Sequence, residues 1–375
     1  MFRNNNVRGA WCVVGGGAAR GSGPPAHAPR TTHHALALVS ALLLALFGCT
    51  RDSRTPLVIY TPHGRDLLTL CERRFEQLHP DVDVRWLDMG SQEVYERVRS
   101  ERANPQADVW FGGPGTIFAR GARDSLLEPF RPTWAGAISP HGRGPSDLYF
   151  AAYETPAVIV YAERAVPPAE APQDWDDLLA PRWRGKILIR DPIASGTMRA
   201  VWGMIIERGL KTTGDTAAGF AWLRRLDAQT KEYVLNGPLL DQKIARQEGL
   251  VTIWDLPDIL LNRRDGLPLG YVFPRSGTPV IEDAIAVVRG ARHREAAQAF
   301  VEYVGSVEAQ LLATREVYRL PARLDLPADS LPEWAREVRR TMKVADVDWD
   351  VLAERGADWM RYWDEHVRGR GGNAP

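Results

Sequence analysis

The sequence predicts an α/β protein built from two lobes, and three observations carry the prediction. From Leu57 to Phe273, short apolar runs alternate with amphipathic helical patterns, the signature of parallel sheets covered by helices. Two longer β-rich segments, "YFAAYETPAVIVY" (149–161, broken by Pro156) and "SGTPVIEDAIAVV" (276–288), read as an outward and a return crossing between domains. Two crossings make the first domain discontinuous. At 375 residues the chain is long enough for two separate cores.

Taken in order, residues 1–34 form a long leader. Its "VVGGGAARG" (13–21) fails as a dinucleotide loop, because Arg20 stands where the third glycine belongs and no βαβ unit follows. Ala35 to Phe47, "ALALVSALLLALF", is an uncharged run of signal-peptide length, too short for a comfortable membrane span. It ends in Leu46-Phe47-Gly48-Cys49, which resembles a bacterial lipobox and implies a lipid on Cys49; the alternative is an ordinary export signal with an incidental cysteine. Cys71 is then the one cysteine left in the mature chain, which rules out an intrachain disulfide there and makes Cys71 a small buried hydrophobe.

"RDSRTP" (51–56) reads as a tether. Strand-like runs follow at 57–60, 82–87 and 107–111, with helical patterns at 65–78 and 91–102. The middle repeats the texture, with β-like runs at 186–189, 233–235, 250–254 and 270–273 and helical patterns at 196–208, 215–226 and 238–247. Beyond Arg292 the pattern is helical at 293–304, 307–314, 331–341 and 348–367, where Trp359 and Trp363, four apart beside Tyr362, read as a core-facing aromatic stripe. The 47 basic and 47 acidic residues balance, so no broad electrostatic footprint for nucleic acid or an anionic membrane exists; 42 of the cations are Arg, a codon bias before it is a recognition signal.

The segment 57–113, and within 56–320 the stretches "ANPQADVWFGGP", "DWDDLLAPRWRGKILIRDP" and "ASGTMRA", resemble bacterial extracellular solute-binding proteins of ATP-binding-cassette importers, in the ferric-iron-type branch of periplasmic binding proteins. The resemblance implies a type II periplasmic-binding fold, two α/β lobes joined by two hinge strands, with ligand held in the cleft between them. The expected boundaries are a leader and lipoprotein signal peptide (1–49), a tether (50–56), lobe 1 (57–155 plus 279–320), lobe 2 (156–278) and a helical C-terminal extension (321–375). A membrane permease is the implied partner, with the protein itself a periplasmic, lipid-tethered monomer that carries no cofactor.

Loops that leave strands and enter helices supply the candidate ligand contacts. Ser195, Gly196 and Thr197 open a helix; they either contact ligand through hydroxyls and free N–H groups or act as a cap, whereas a catalytic serine lacks the G-x-S-x-G elbow and a nearby His. Thr61, His63 and Gly64 leave the first strand, and His63 is a donor to an anion, a metal ligand or a solvent-facing turn residue. Gly113 and Pro114 lie in a glycine-rich turn that permits close backbone approach. Tyr153, Glu154 and Thr155 sit at the expected hinge, and Tyr153 is either in the cleft or buried. Asp255 is either a helix N-cap or an acceptor for ligand hydroxyls or amines, with Trp254 as a stacking face. Asn236, Ser276 and Gly277 are weaker candidates for the same cleft.

Ferric-binding members of the resembled branch use a His, a Glu and two adjacent tyrosines, sometimes with a synergistic anion. Here His63 is in place, Gly113 stands where the carboxylate belongs and the sequence has no Tyr-Tyr pair. The expected cargo is therefore a small anion (a phosphorylated sugar, a phosphonate or a carboxylate), with ferric iron plus an anion as the other reading. An enzyme on the same scaffold and a ligand sensor for a signalling receptor are the rival functions.

Overall fold

The computed structural model describes residues 53–371; the leader, the apolar run and Cys49 lie outside the described residues. In chain order the strands and helices are β1 (Thr55–Thr61), α1 (Arg65–Leu78), β2 (Val82–Asp88), α2 (Ser91–Ser100), β3 (Val109–Pro114), α3 (Gly115–Arg123), β4 (Leu127–Glu128), β5 (Phe150–Ala162), β6 (Ile187–Arg190), α4 (Gly196–Thr213), α5 (Ala217–Gln229), β7 (Thr230–Val234), α6 (Gly237–Ala245), β8 (Val251–Asp255), α7 (Leu256–Arg264), β9 (Leu269–Val272), β10 (Val280–Val288), α8 (Arg294–Val304), α9 (Val307–Val317), β11 (Leu320–Pro321), α10 (Glu333–Thr341) and α11 (Trp349–His366). Short 3-10 turns fill several connections.

The strands run β2-β1-β3-β10-β5-β8-β6-β7, with β4 beside β10 and with β9 and β11 beside β5. β1 is parallel to β2 and β3, and β6 is parallel to β7 and β8, as the alternating pattern requires. β5 joins the two groups. Its first residues pair with β10 as far as Pro156, opposite Val280, and from Ala157 it pairs with β8, opposite Asp255. Pro156 has no N–H to give to a ladder, so it stands where the strand changes partners.

Apolar burial follows the same division. One cluster around Leu57, Phe75, Phe111 and Phe300 and another around Tyr60, Tyr95, Trp110 and Phe118 serve the half containing β1–β3. A larger cluster around Val158, Trp175, Ile189, Trp202, Leu240 and Ile253 fills the other half. The C-terminal residues Leu331, Val338, Leu352, Trp359, Met360 and Trp363 belong to that larger cluster. α11 is laid against both α4 and α3, with Leu352 seated over Gly203 and Arg123 donating to the Ala353 carbonyl. In the aromatic stripe Trp359 and Trp363 face the core and Trp363 meets Trp202 edge-on, while Tyr362 is 42 % exposed. Cys71 is buried, and desolvation pushes its thiol up to about 12, so it behaves as an inert apolar side chain. Among the described residues no helix is long and apolar enough to cross a membrane.

Candidate functional site

Between the halves lies a cavity of about 620 Å³. Six strand-to-helix junctions reach it, so the N-termini of α1, α2, α3, α4, α6 and α7 all present residues to one space. Free backbone N–H groups and aligned peptide dipoles at such ends favour negative charge.

At the β1–α1 junction His63 and Gly64 line the cavity. Thr61 does not; its Oγ1 accepts from the His63 N–H at 3.0 Å and shapes the turn. His63 is 4 % exposed, its ring packs edge-on to Phe111 at 4.7 Å, and its Nε2 has no hydrogen-bond partner among the described residues. Burial, with help from Arg319, holds its pKa well below the usual range, so the imidazole is neutral. Gly112, at φ +99°, leaves room for this ring, since a Cβ there would stand 2.5 Å from Nε2.

Gly113 and Pro114 line the cavity at the start of α3. The Gly113 N–H donates to Asp283 Oδ1 at 3.2 Å, and Thr155 donates to Asp283 Oδ2 at 2.5 Å. These contacts place Thr155 and Asp283, from the two strands that link the halves, on the cavity wall. Tyr153, next along β5, is fully buried behind His63 and Phe111. Glu154 turns away toward Arg339 at 3.7 Å. Neither lines the cavity: Glu154 faces the opposite side of the strand from Thr155, and Tyr153, on the same side as Thr155, is covered by His63 and Phe111.

From the other half come Ser195, Gly196 and Thr197. Ser195 caps α4, its Oγ accepting from the Met198 N–H at 3.2 Å. Asn236 likewise caps α6 by accepting from the Leu239 N–H at 2.8 Å. Gly196 is a point of close approach between the halves: a Cβ there would lie 2.6 Å from Pro114 and 2.9 Å from Ser91 Oγ. Trp254 packs over Gly237 and donates Nε1 to Asp258 at 3.2 Å. Asp255 occupies the N-cap position of α7 without capping it; its Oδ2 accepts from Thr197 Oγ1 at 3.2 Å instead.

Ser276 and Gly277, expected in the cleft, lie elsewhere. Ser276 is tied to the carboxylate of Asp174 and Gly277 sits over Ala345. The residues that sequence reasoning missed are Asp88, Met89, Gly90, Ser91 and Glu93 at the β2–α2 junction, Arg190 at the end of β6, and Asp258, Asp283 and Arg319. Arg190 is 7 % exposed, and its one hydrogen bond among the described residues runs from Nη1 to the Val234 carbonyl at 3.4 Å. No carboxylate among the described residues pairs with it: its sequence neighbour Asp191 is bonded to Arg368 at 2.7 Å. Burial lowers its pKa from the ordinary guanidinium value.

No three His, Cys, Asp or Glu side chains among the described residues converge as a set of metal ligands. Ser195 spends its oxygen on the cap and has no hydrogen bond to a histidine among the described residues.

Residues 73–341 match the model of the bacterial extracellular solute-binding proteins. The chain belongs to that family. It is 26 % identical over 340 residues to a probable ABC transporter periplasmic-binding protein, y4fP, of Sinorhizobium fredii, covering 89 % of this chain and 92 % of that one. A putative 2-aminoethylphosphonate-binding periplasmic protein of Salmonella typhimurium is 26 % identical, covering 75 % and 82 % respectively. Iron uptake protein A1 of Synechocystis is 24 % identical, covering 66 % and 70 %. Among solved structures, the periplasmic binding protein AfuA from Actinobacillus pleuropneumoniae with fructose-6-phosphate superposes with a TM-score of 0.75 at 24 % identity, over 84 % of this chain and all of that one. The fold of this solute-binding protein is the type II periplasmic-binding fold, and the cavity lies where such a fold joins its two lobes.

Proposed function

We propose that the protein captures a small solute with an anionic head, a phosphate, phosphonate or carboxylate, and delivers it to the permease of an ATP-binding-cassette importer. One observation carries the choice of anion: the buried guanidinium of Arg190 faces the cavity with no carboxylate bonded to it among the described residues, beside the starts of α2, α4 and α6. Asp191 acts on it only through space and is itself bonded to Arg368; a buried guanidinium without a direct ion pair is costly, and a bound anion offsets that cost. Ser195, Gly196 and Thr197 add N–H and hydroxyl donors, and Asn236 and Gly237 add another helix start. The opposing wall comes from His63, Gly64, Gly113, Pro114 and Thr155, with Trp254 as an apolar face.

Capture works by population shift: solute touching both walls stabilises the closed arrangement, in which Gly196 meets Pro114 and Ser91. Export through the apolar run and a lipid on Cys49 would hold the protein, as a monomer, beside its permease. Bare ferric ion fits less well, because a hard trivalent cation wants converging anionic oxygens and no three His, Cys, Asp or Glu side chains among the described residues converge as its ligands. The test is a thermal-shift panel of organic phosphates, phosphonates, carboxylates and ferric salts on wild type and Arg190→Ala. Stabilisation by anions that is lost in the variant supports the reading; stabilisation by ferric salts alone refutes it. Uptake restored to a strain lacking the protein separates transport from receptor sensing.

A further inference from the structure

A second, smaller cavity lies on the seam where α3 of one half, α4 of the other and the C-terminal α11 meet, and it shares no lining residue with the cleft. Its volume is about 50 Å³, several times the ~10–15 Å³ that one water needs and far below the cleft's 620 Å³. α11 closes it with Ala353 and Gly356. The polar lining comes from both halves: Gln92, Thr116 and Arg120 from one, Arg199 from the other.

Both guanidiniums are held in place without a carboxylate. Arg199 donates Nε and Nη2 to the Ile193 carbonyl at 3.3 and 2.9 Å, which leaves its Nη1 without a partner among the described residues. Arg120 lies over the Tyr95 ring at 4.2 Å and makes no hydrogen bond or ion pair among the described residues. Asp191 and Glu96 act on Arg199 only through space, because Asp191 is bonded to Arg368 and Glu96 to Arg99. Burial, and after it the charge of Arg120, lowers the pKa of Arg199 to about 10, so the group is still charged at neutral pH. Two like charges brought to one small space from opposite halves repel each other unless something negative lies between them.

We propose that this cavity is a second anion site, separate from the cleft, in which one inorganic oxyanion of sulfate or phosphate size bridges Arg120 and Arg199 and so ties the two halves together. A tetrahedral oxyanion suits the donors: its oxygens can accept from the free Nη1 of Arg199, from the planar fork of Arg120 and from the Thr116 hydroxyl or the Gln92 amide. The volume admits such an ion and excludes an organic solute of the size the cleft could hold. An ion bonded to both walls favours the arrangement in which the walls are together, whatever the cleft itself captures.

The test is calorimetry with sodium sulfate against sodium chloride at equal ionic strength, since sulfate keeps its charge across neutral pH. Arg190→Ala serves as the parent, so that the guanidinium of the cleft does not contribute. We expect one sulfate bound per chain of the parent, with affinity lowered about tenfold or more by adding Arg120→Gln or Arg199→Gln, the scale of a lost hydrogen bond to a charged group. Arg120→Lys, which keeps the charge and loses the fork, should fall between the parent and Arg120→Gln, and circular dichroism checks that each variant folds. A response to sulfate no larger than that to chloride means screening alone and overturns the site. Loss with one arginine and not with the other overturns the bridge. Sulfate held by wild type but not by Arg190→Ala belongs to the cleft, which overturns the second site and leaves anion capture standing. Sulfate held equally by the parent and both Gln variants lies elsewhere and overturns it as well.

Discussion

Two neighbouring strand-to-helix junctions look alike in sequence and do different work. β6 delivers Ser195 to the start of α4, and β8 delivers Asp255 to the start of α7; both residue types are favoured N-caps. Ser195 does cap, so its oxygen is committed to the fold. Asp255 does not, and one of its oxygens, shut off from solvent, has no partner among the described residues. One junction residue thus stabilises the fold and the other burdens it.

The comparison is broken most severely by removing the cation beside the first junction. Arg190→Ala should weaken anion binding by about 2–5 kcal/mol, measured by calorimetry, while circular dichroism stays unchanged. Binding that survives would make Arg190 a structural residue and would leave the α4 start an ordinary cap. Gly196→Val comes next: the side chain would press on Pro114 and Ser91 only when the halves meet, costing about 1–3 kcal/mol of affinity. Small-angle scattering of that variant with ligand should report the open form, and a normal closure would show that Gly196 is not the contact point.

The second junction is sharpened by pH. The folded-state pKa of Asp255 is raised above its unfolded value, so the ligand-free protein binds the more protons when folded. Its contribution to stability is present below the ordinary carboxyl range and is lost as pH rises toward the raised value. Asp241 and Asp283, also raised by burial, act in the same direction. Asp255→Asn should therefore stabilise the ligand-free protein at neutral pH by about 1–3 kcal/mol and flatten the pH dependence of thermal unfolding. A destabilised variant would mean that the carboxylate is needed by the fold.

The smallest effect belongs to Ser195→Ala. Loss of the cap should cost about 1 kcal/mol of stability in chemical denaturation, and pairing it with Thr197→Ala should weaken binding as well. Unchanged affinity in the pair would confine both residues to structure.

Much of this arrangement was legible beforehand, because it rests on local pattern. Alternating runs placed β1, α1, β2 and α2, and the Pro156 break marked where β5 changes partners. α3 was harder, since "GTIFARGAR" carries two glycines and is only nine residues long. In the site, strand-end loops gave His63, Gly113, Ser195, Asn236 and Asp255, and the same rule applied to β2 and β6 would have added Ser91 and Arg190. Asp283 and Arg319 had no local sign. Their carboxylate and guanidinium reach the cavity from β10 and from the turn before β11, through pairing between chain-distant segments. Ser276 and Gly277 resembled a ligand loop in composition, but Asp174, a hundred residues earlier, takes up the serine.

Native mass spectrometry of gently purified wild type beside Arg190→Ala tests the central claim most directly. The account predicts a wild-type adduct with the mass of one small organic anion, absent from the variant. An iron adduct, or an organic adduct of equal abundance in both proteins, would contradict it.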